Sequence, residues 1–116
     1  MRVSIAAHAK INLTLDVLDK LPNGYHTLKM VMQSISLQDM LSIETGTDAG
    51  IELRCNVKGI PCDERNLVFK AIRAFYQTSG ILENGVSVAI EKKIPVMAGL
   101  AGGSTDAAAV IRALDF

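Results

Sequence analysis

Tryptophan is absent from these 116 residues, aromatic side chains amount to 4%, and cysteine occurs only at Cys55 and Cys62. Two cysteines without a C-x-x-C pair offer neither a disulfide framework nor a usual zinc spacing. They read as inert thiols, and a reduced, cytoplasmic setting is the default. An excess of one charge is lacking as well, because 12 Lys and Arg balance 12 Asp and Glu. A nucleic-acid module usually shows a basic surplus, and acidic tails or polybasic membrane anchors stand out as runs, so those classes are set aside. No apolar run has the length of a membrane span, and Lys10 falls where a signal peptide needs apolar residues.

What is present is aliphatic. Hydrophobic residues make up 49% of the chain, enough for one core in one domain over 1–116, with roughly two-thirds of the unfolded surface buried. Val3, Ile5 and Ala7 alternate as strand, and Ile11, Leu13, Leu15 and Val17 form another run with Asn12, Thr14 and Asp16 opposite. Lys20-Leu21-Pro22-Asn23-Gly24 is a turn. Alternation resumes over Leu28–Ile35, with separate strands expected at Leu41–Glu44 and Ile51–Val57. Asn66 is placed to cap a helix bearing Val68, Ala71, Ile72 and Phe75 at helical spacing, and Gly80 to end it. Val86, Val88 and Ile90 make a short strand. Ala107, Val110, Ile111 and Leu114 mark the face of a last helix that ends without a Gly or Asn cap, a hint that more chain follows. The pattern predicts an α+β fold, a mostly antiparallel sheet with helices on one face. The methionines, Met30 and Met32 included, read as core filler.

The densest chemical signal is Pro95-Val96-Met97-Ala98-Gly99-Leu100-Ala101-Gly102-Gly103-Ser104-Thr105-Asp106, between a strand and a helix. Glycines let backbone approach a ligand, and a helix starting at Ser104 or Thr105 would present free N–H groups and a positive dipole end to an anion such as phosphate. The loop has no Gly-Lys-Ser/Thr closing a Walker turn and does not match G-x-G-x-x-G. A plain connection with a helix-capping hydroxyl is the competing reading. Asp106 is expected to point away from a bound phosphate. Lys92 and Lys93, just before the loop, read either as nucleotide contacts or as a solvated strand end.

The stretch Pro95-x3-Gly99-Leu100-Ala101-Gly102-Gly103-Ser104-Thr105 resembles the phosphate-binding loop of the GHMP kinases. Ala9-Lys10-Ile11-Asn12-Leu13 and Gly24-Tyr25-His26 narrow the likeness. They resemble the bacterial and plastid members that phosphorylate a hydroxyl of 4-diphosphocytidyl-2-C-methyl-D-erythritol in the non-mevalonate isoprenoid pathway. The three blocks occur in family order, and the similarity runs through Val31–Leu37 and Arg65–Val68 to cover essentially the whole chain. It implies the GHMP kinase amino-terminal fold and an ATP-dependent small-molecule kinase needing ATP and Mg2+, with no metal ligand assigned in this chain. It also implies residue roles. Lys10 would be the active-site lysine, with Asn12 lining the reacting end. Tyr25 and His26 would hold the cytidine end, and Asn66 would cap its helix or contact the adenine side. Pro95, Val96, Met97, Ala98, Gly99, Leu100, Ala101, Gly102, Gly103, Ser104 and Thr105 would cradle the nucleotide. His8 is assigned no role. The family's base-like aspartate and second domain lie downstream of the glycine-loop helix, and neither Asp106 nor Asp115 matches that aspartate's context. The chain is therefore expected to be the front part of a longer kinase. The partner is a small molecule, with neither nucleic acid nor membrane expected and the oligomeric state open. Two alternatives stay open: a stand-alone phosphate-binding module without catalysis, and a GHMP kinase for another small alcohol.

Overall fold

The computed structural model describes residues 1–48, 50–96 and 102–115. Six elements follow in order: β1 (Arg2–Lys20), β2 (His26–Thr45), β3 (Ile51–Cys55), α1 (Leu67–Ser79), β4 (Val86–Glu91) and α2 (Gly102–Leu114). The sheet order is β1-β2-β4-β3. β1 pairs antiparallel with β2, and β2 antiparallel with β4. β3 runs parallel to β4, because α1 carries the chain between them as a crossover. The sheet is thus mixed, with one parallel pair at its edge.

The strand runs expected as separate pieces are continuous. β1 spans 19 residues and β2 spans 20, since no Gly or Pro interrupts either. The breaks in alternation survive as register shifts between His8 and Lys10, Asn12 and Thr14, and Val17 and Lys20. At the first of these, His8 Nδ1 lies 3.0 Å from the Ile35 carbonyl oxygen, serving a backbone group that the irregular ladder leaves unpaired. At the tip, the Asn23 side chain accepts a bond from Tyr25 N–H at 3.0 Å, and Gly24 takes φ +89° to close the turn.

The core lies between one sheet face and both helices. Ala7, Leu41, Ile43, Leu53, Val86, Val88 and Ile90 point from the strands toward Val68 and Ile72 of α1 and Ala109, Val110 and Ala113 of α2. The opposite face carries Arg2, Ser42, Glu44, Arg54 and Ser87. α1 follows its sequence signals: Asn66 accepts from Val68 N–H at 2.8 Å, and Gly80 ends the helix at φ +72°. α2 departs from them twice. It begins at Gly102, ahead of Ser104 and Thr105, and its buried stripe is Asp106, Ala109, Val110 and Ala113. Alanines let the helix seat closely on the sheet, which turns Ile111 outward to 40% exposure.

Beyond Lys10, the β1–β2 hairpin leaves the core as an arm whose residues 11–20 and 26–34 are exposed on both faces. Met30 and Met32 belong to this arm, at 37% and 58% exposure, and are not core filler. The arm raises the radius of gyration to 15.9 Å, against about 13 Å for a compact chain of this length.

Candidate functional site

The glycine-rich segment leaves the sheet at the end of β4 and returns at the start of α2. Residues 97–101, and with them Met97, Ala98, Gly99, Leu100 and Ala101, lie outside the described residues. Both ends are defined. Ile94 is 1% exposed. A Cβ added to Gly102 would lie 3.0 Å from Ile94 Cγ2 and 3.4 Å from Lys92 Nζ. The chain therefore departs and re-enters at one point, and that close approach requires a glycine.

Side chains hold the departing strand where its ladder stops. Asn56 Oδ1 accepts from Lys92 N–H at 2.8 Å on one flank. On the other, Asp39 Oδ1 accepts from the N–H groups of Lys93 and Ile94 at 2.7 and 2.9 Å. Lys92 Nζ donates to Asp39 Oδ2 at 2.6 Å and to Asp106 Oδ2 at 2.9 Å. These side chains are 7%, 0% and 3% exposed for Lys92, Asp39 and Asp106. One ammonium thus joins β2, the end of β4 and the first turns of α2 inside the protein.

Two buried carboxylates around one cation cannot both ionise cheaply. Burial raises the Asp106 pKa, and a hydrogen bond shared with Asp39 raises it further against the pull of Lys92, to about 7. Among the described residues, Asp106 Oδ1 has no hydrogen-bond partner. Burial pushes Asp39 up too, but the hydrogen bonds from Asp106, Ile94, Lys92 and Lys93 outweigh it, and its pKa falls below the usual carboxylate value. Burial lowers Lys92, the two carboxylates more than compensate, and the ammonium is held charged.

Above this cluster, Gly102, Gly103 and Ser104 open α2 toward solvent, with Thr105 half-buried behind them. The first-turn N–H groups have no intrahelical partners, so the helix start offers donors and a positive dipole end to an anion. A Cβ on Gly103 would meet only Leu67 Cδ1, at an ordinary 3.6 Å. Pro95 and Val96 are exposed at the loop's beginning. Asp106 points away from this opening, as expected, and the lysine pair divides: Lys93 is exposed, whereas Lys92 is neither a solvated strand end nor a free cation.

The other candidate residues are spread out. Lys10 is half-buried where the arm leaves the core, paired with Ser34 and following the buried Ala9; Asn12, exposed, faces Met32. Tyr25, 74% exposed, and His26, paired with Lys20, stand at the arm's tip. Ten residues of β1 separate Lys10 from that pair, up to roughly 30 Å of strand, so the tip and the base do not form one cluster. Asn66 uses its amide internally, capping α1 and donating to the Pro61 carbonyl at 2.8 Å. Among the described residues no three His, Cys, Asp or Glu side chains gather as a metal site.

Sequence reading missed the Asp39–Lys92–Asp106 cluster: Asp39 was given no role, Asp106 was only turned away from the phosphate, and Lys92 was left between a nucleotide contact and a solvated strand end. The signal was available. Asp39 shares the period of Leu41 and Ile43, Lys92 that of Val88 and Ile90, and Asp106 that of Ala109, Val110 and Ala113. Each closes an inward stripe, and the signs are complementary.

Known proteins share this fold. Residues 66–115 match the family model described as the GHMP kinases N terminal domain. A 4-diphosphocytidyl-2-C-methyl-D-erythritol kinase of Clostridium kluyveri is 57% identical over 110 residues, covering 95% of this chain and 39% of that protein. A Clostridium botulinum enzyme of the same name is 51% identical over 113 residues, covering 97% of this chain and 40% of the relative. This chain thus spans about two-fifths of the length of the curated relatives it matches. A crystal structure of 4-(cytidine 5'-diphospho)-2C-methyl-D-erythritol kinase superposes with TM-score 0.78 at 34% identity, over 97% of this chain and 40% of that one. Homoserine kinase from Cytophaga hutchinsonii shares the fold at TM-score 0.75 and 20% identity, over 98% of this chain and 34% of its own. Among the described residues no helix is long and apolar enough to cross a membrane. Residues 66–115 thus carry the match to the GHMP kinase amino-terminal domain, and the chain as a whole has the fold of those kinases.

Proposed function

We propose that residues 1–116 are the ATP-binding amino-terminal domain of a longer kinase, which transfers the γ-phosphoryl group of ATP to a hydroxyl of 4-diphosphocytidyl-2-C-methyl-D-erythritol. The observation that carries this reading is the 57% identity, over 95% of the chain, to a relative bearing that name. The closed loop base beneath the open start of α2 supports it. A cytoplasmic location belongs to the same proposal, with Cys55 and Cys62 as free thiols.

In this reading, the segment from Pro95 to Thr105 encloses the nucleotide phosphates, with Gly102 and Gly103 allowing backbone contact and Ser104 and Thr105 offering hydroxyls at the positive end of α2. Magnesium, when bound, neutralises phosphate charge. Lys10 brings an ammonium to the acceptor hydroxyl, whose oxygen attacks the γ-phosphorus as the bond to ADP breaks, and stabilises the negative charge in flight. The hydroxyl proton leaves to a base outside residues 1–116. Asn12 orients the reacting alcohol. Tyr25 stacks on the pyrimidine, and His26 reads its polar edge with one ring nitrogen donating and the other accepting. Asn66 flanks the adenine side while capping α1.

The test is phosphorylation by the purified full-length protein, followed by product chromatography with ATP and the cytidylyl alcohol. Lys10→Ala is expected to lower kcat by about 100-fold or more while leaving ATP binding measurable by calorimetry; full turnover in that variant removes Lys10 from the mechanism. His26→Ala is expected to raise KM for the cytidylyl substrate about tenfold with KM for ATP unchanged. Equal weakening of both contradicts the base-reading role. ATP binding without transfer to any alcohol would favour a non-catalytic module, and transfer to homoserine or mevalonate another acceptor.

A further inference from the structure

The buried ion cluster has no part in the roles given so far. Its three members come from the three segments that meet at the loop base. Asp39 lies on β2 in the middle of the sheet, Lys92 one residue past β4, and Asp106 four residues into α2. Asp39 divides its oxygens: Oδ1 holds the N–H groups of Lys93 and Ile94, the last residues before the loop, and Oδ2 holds Lys92 Nζ. Lys92 reaches across to Asp106, beyond the loop's other end. Asn56 secures the Lys92 backbone from the opposite side. The cluster therefore links the loop's departure, its return and the sheet through a single ammonium.

Stability alone is a weak reason for such a device. Well-packed apolar residues commonly replace a buried ion pair without loss. Ion pairs with fixed hydrogen-bond directions instead set where backbone goes. A Cβ on Gly102 would crowd both Ile94 and Lys92, so the two ends lie close together. We propose that Asp39, Lys92 and Asp106 are positioning residues that fix the ends of the glycine-rich segment relative to each other, setting nucleotide affinity without touching the transferred phosphoryl group. The nucleotide part of this inference rests on the kinase reading above; the link between the two ends does not.

The test separates the two. In the full-length protein, Lys92→Met is expected to raise KM for ATP about tenfold or more while kcat changes less than about threefold. It should also speed amide exchange at Ile94 at least about tenfold without nucleotide. The double variant Lys92→Met/Asp106→Leu removes the unpaired carboxyl. It is expected to recover thermal stability while KM for ATP stays raised. Asp106→Asn keeps an acceptor for Lys92 and is expected to retain affinity, and it serves if Lys92→Met does not fold. Recovery of KM together with stability in the double variant would make the cluster a packing feature only and overturn the proposal. So would a loss confined to kcat, unchanged exchange at Ile94, or lost affinity in Asp106→Asn. If the unaltered protein binds no ATP, the kinase reading falls and exchange at Ile94 alone decides the linkage.

Discussion

Asp106 shows how one buried group gives a fold a pH signature. It keeps its proton up to about pH 7 in the folded protein, against a reference value of 3.8. The native state thus binds more protons than the unfolded chain between those values. The resulting stability is full below about pH 4 and is lost as pH rises toward 7. Asp39 has the opposite sign: its lowered pKa favours the fold above 3.8, and that benefit fades as acid reaches its depressed value. Urea titrations of wild type and Asp106→Asn at pH 5 and pH 8 should therefore differ. Wild type should lose on the order of 1–3 kcal/mol relative to the variant across that interval, and a constant gap would mean that Asp106 is ionised throughout. At this scale the sequence was legible where the chemistry is local, as in the Asn66 cap and the turn at Gly24. At Asp39 and Lys92 the sequence carries only an inward period and complementary signs, a signal that points to burial once the partner, 53 positions away, is known.

At the scale of elements, α1 was readable almost to the residue because its boundaries are local chemistry. Asn66 needs only Val68 N–H, and Gly80 only its own dihedral. Asn66→Ala should cost about 1 kcal/mol through the lost cap, read as a lower urea midpoint. A loss well beyond that would assign the excess to the bond with Pro61. α2 was read less well. Its apolar residues fit two overlapping faces, and what chose between them was non-local: the small alanines facing the sheet and the ion cluster at Asp106. The strands were placed correctly, but β3 was carried two residues too far, to Val57, and β1 and β2 were cut into pieces. Their alternation is broken by register shifts that only the partner strand reveals. The single parallel pair, β3 with β4, was likewise invisible, since it depends on where α1 returns the chain.

The whole molecule divides into a packed body and an arm. Ile72 is fully buried in the body, whereas Leu13 and Val17 on the arm are 58% and 61% exposed. Truncating Ile72→Ala should cost about 2–5 kcal/mol. Leu13→Ser and Val17→Thr should each cost less than about 0.5 kcal/mol, with denaturant unfolding as the measurement. Comparable costs would mean that the arm is packed in solution. Arm and body share the same two strands, paired from Arg2 opposite Glu44 in the body to Lys20 opposite His26 at the tip, with three register shifts on the way. Folding strength is thus concentrated at one end of two strands, while Tyr25 and His26 sit at the other. Substitutions at the tip are nearly free of folding consequences, so its side chains can change while the body stays intact. An insertion near the base, by contrast, would turn every tip side chain to the opposite face. Such a chain tolerates evolutionary change in the identity of its tip residues far better than in their number.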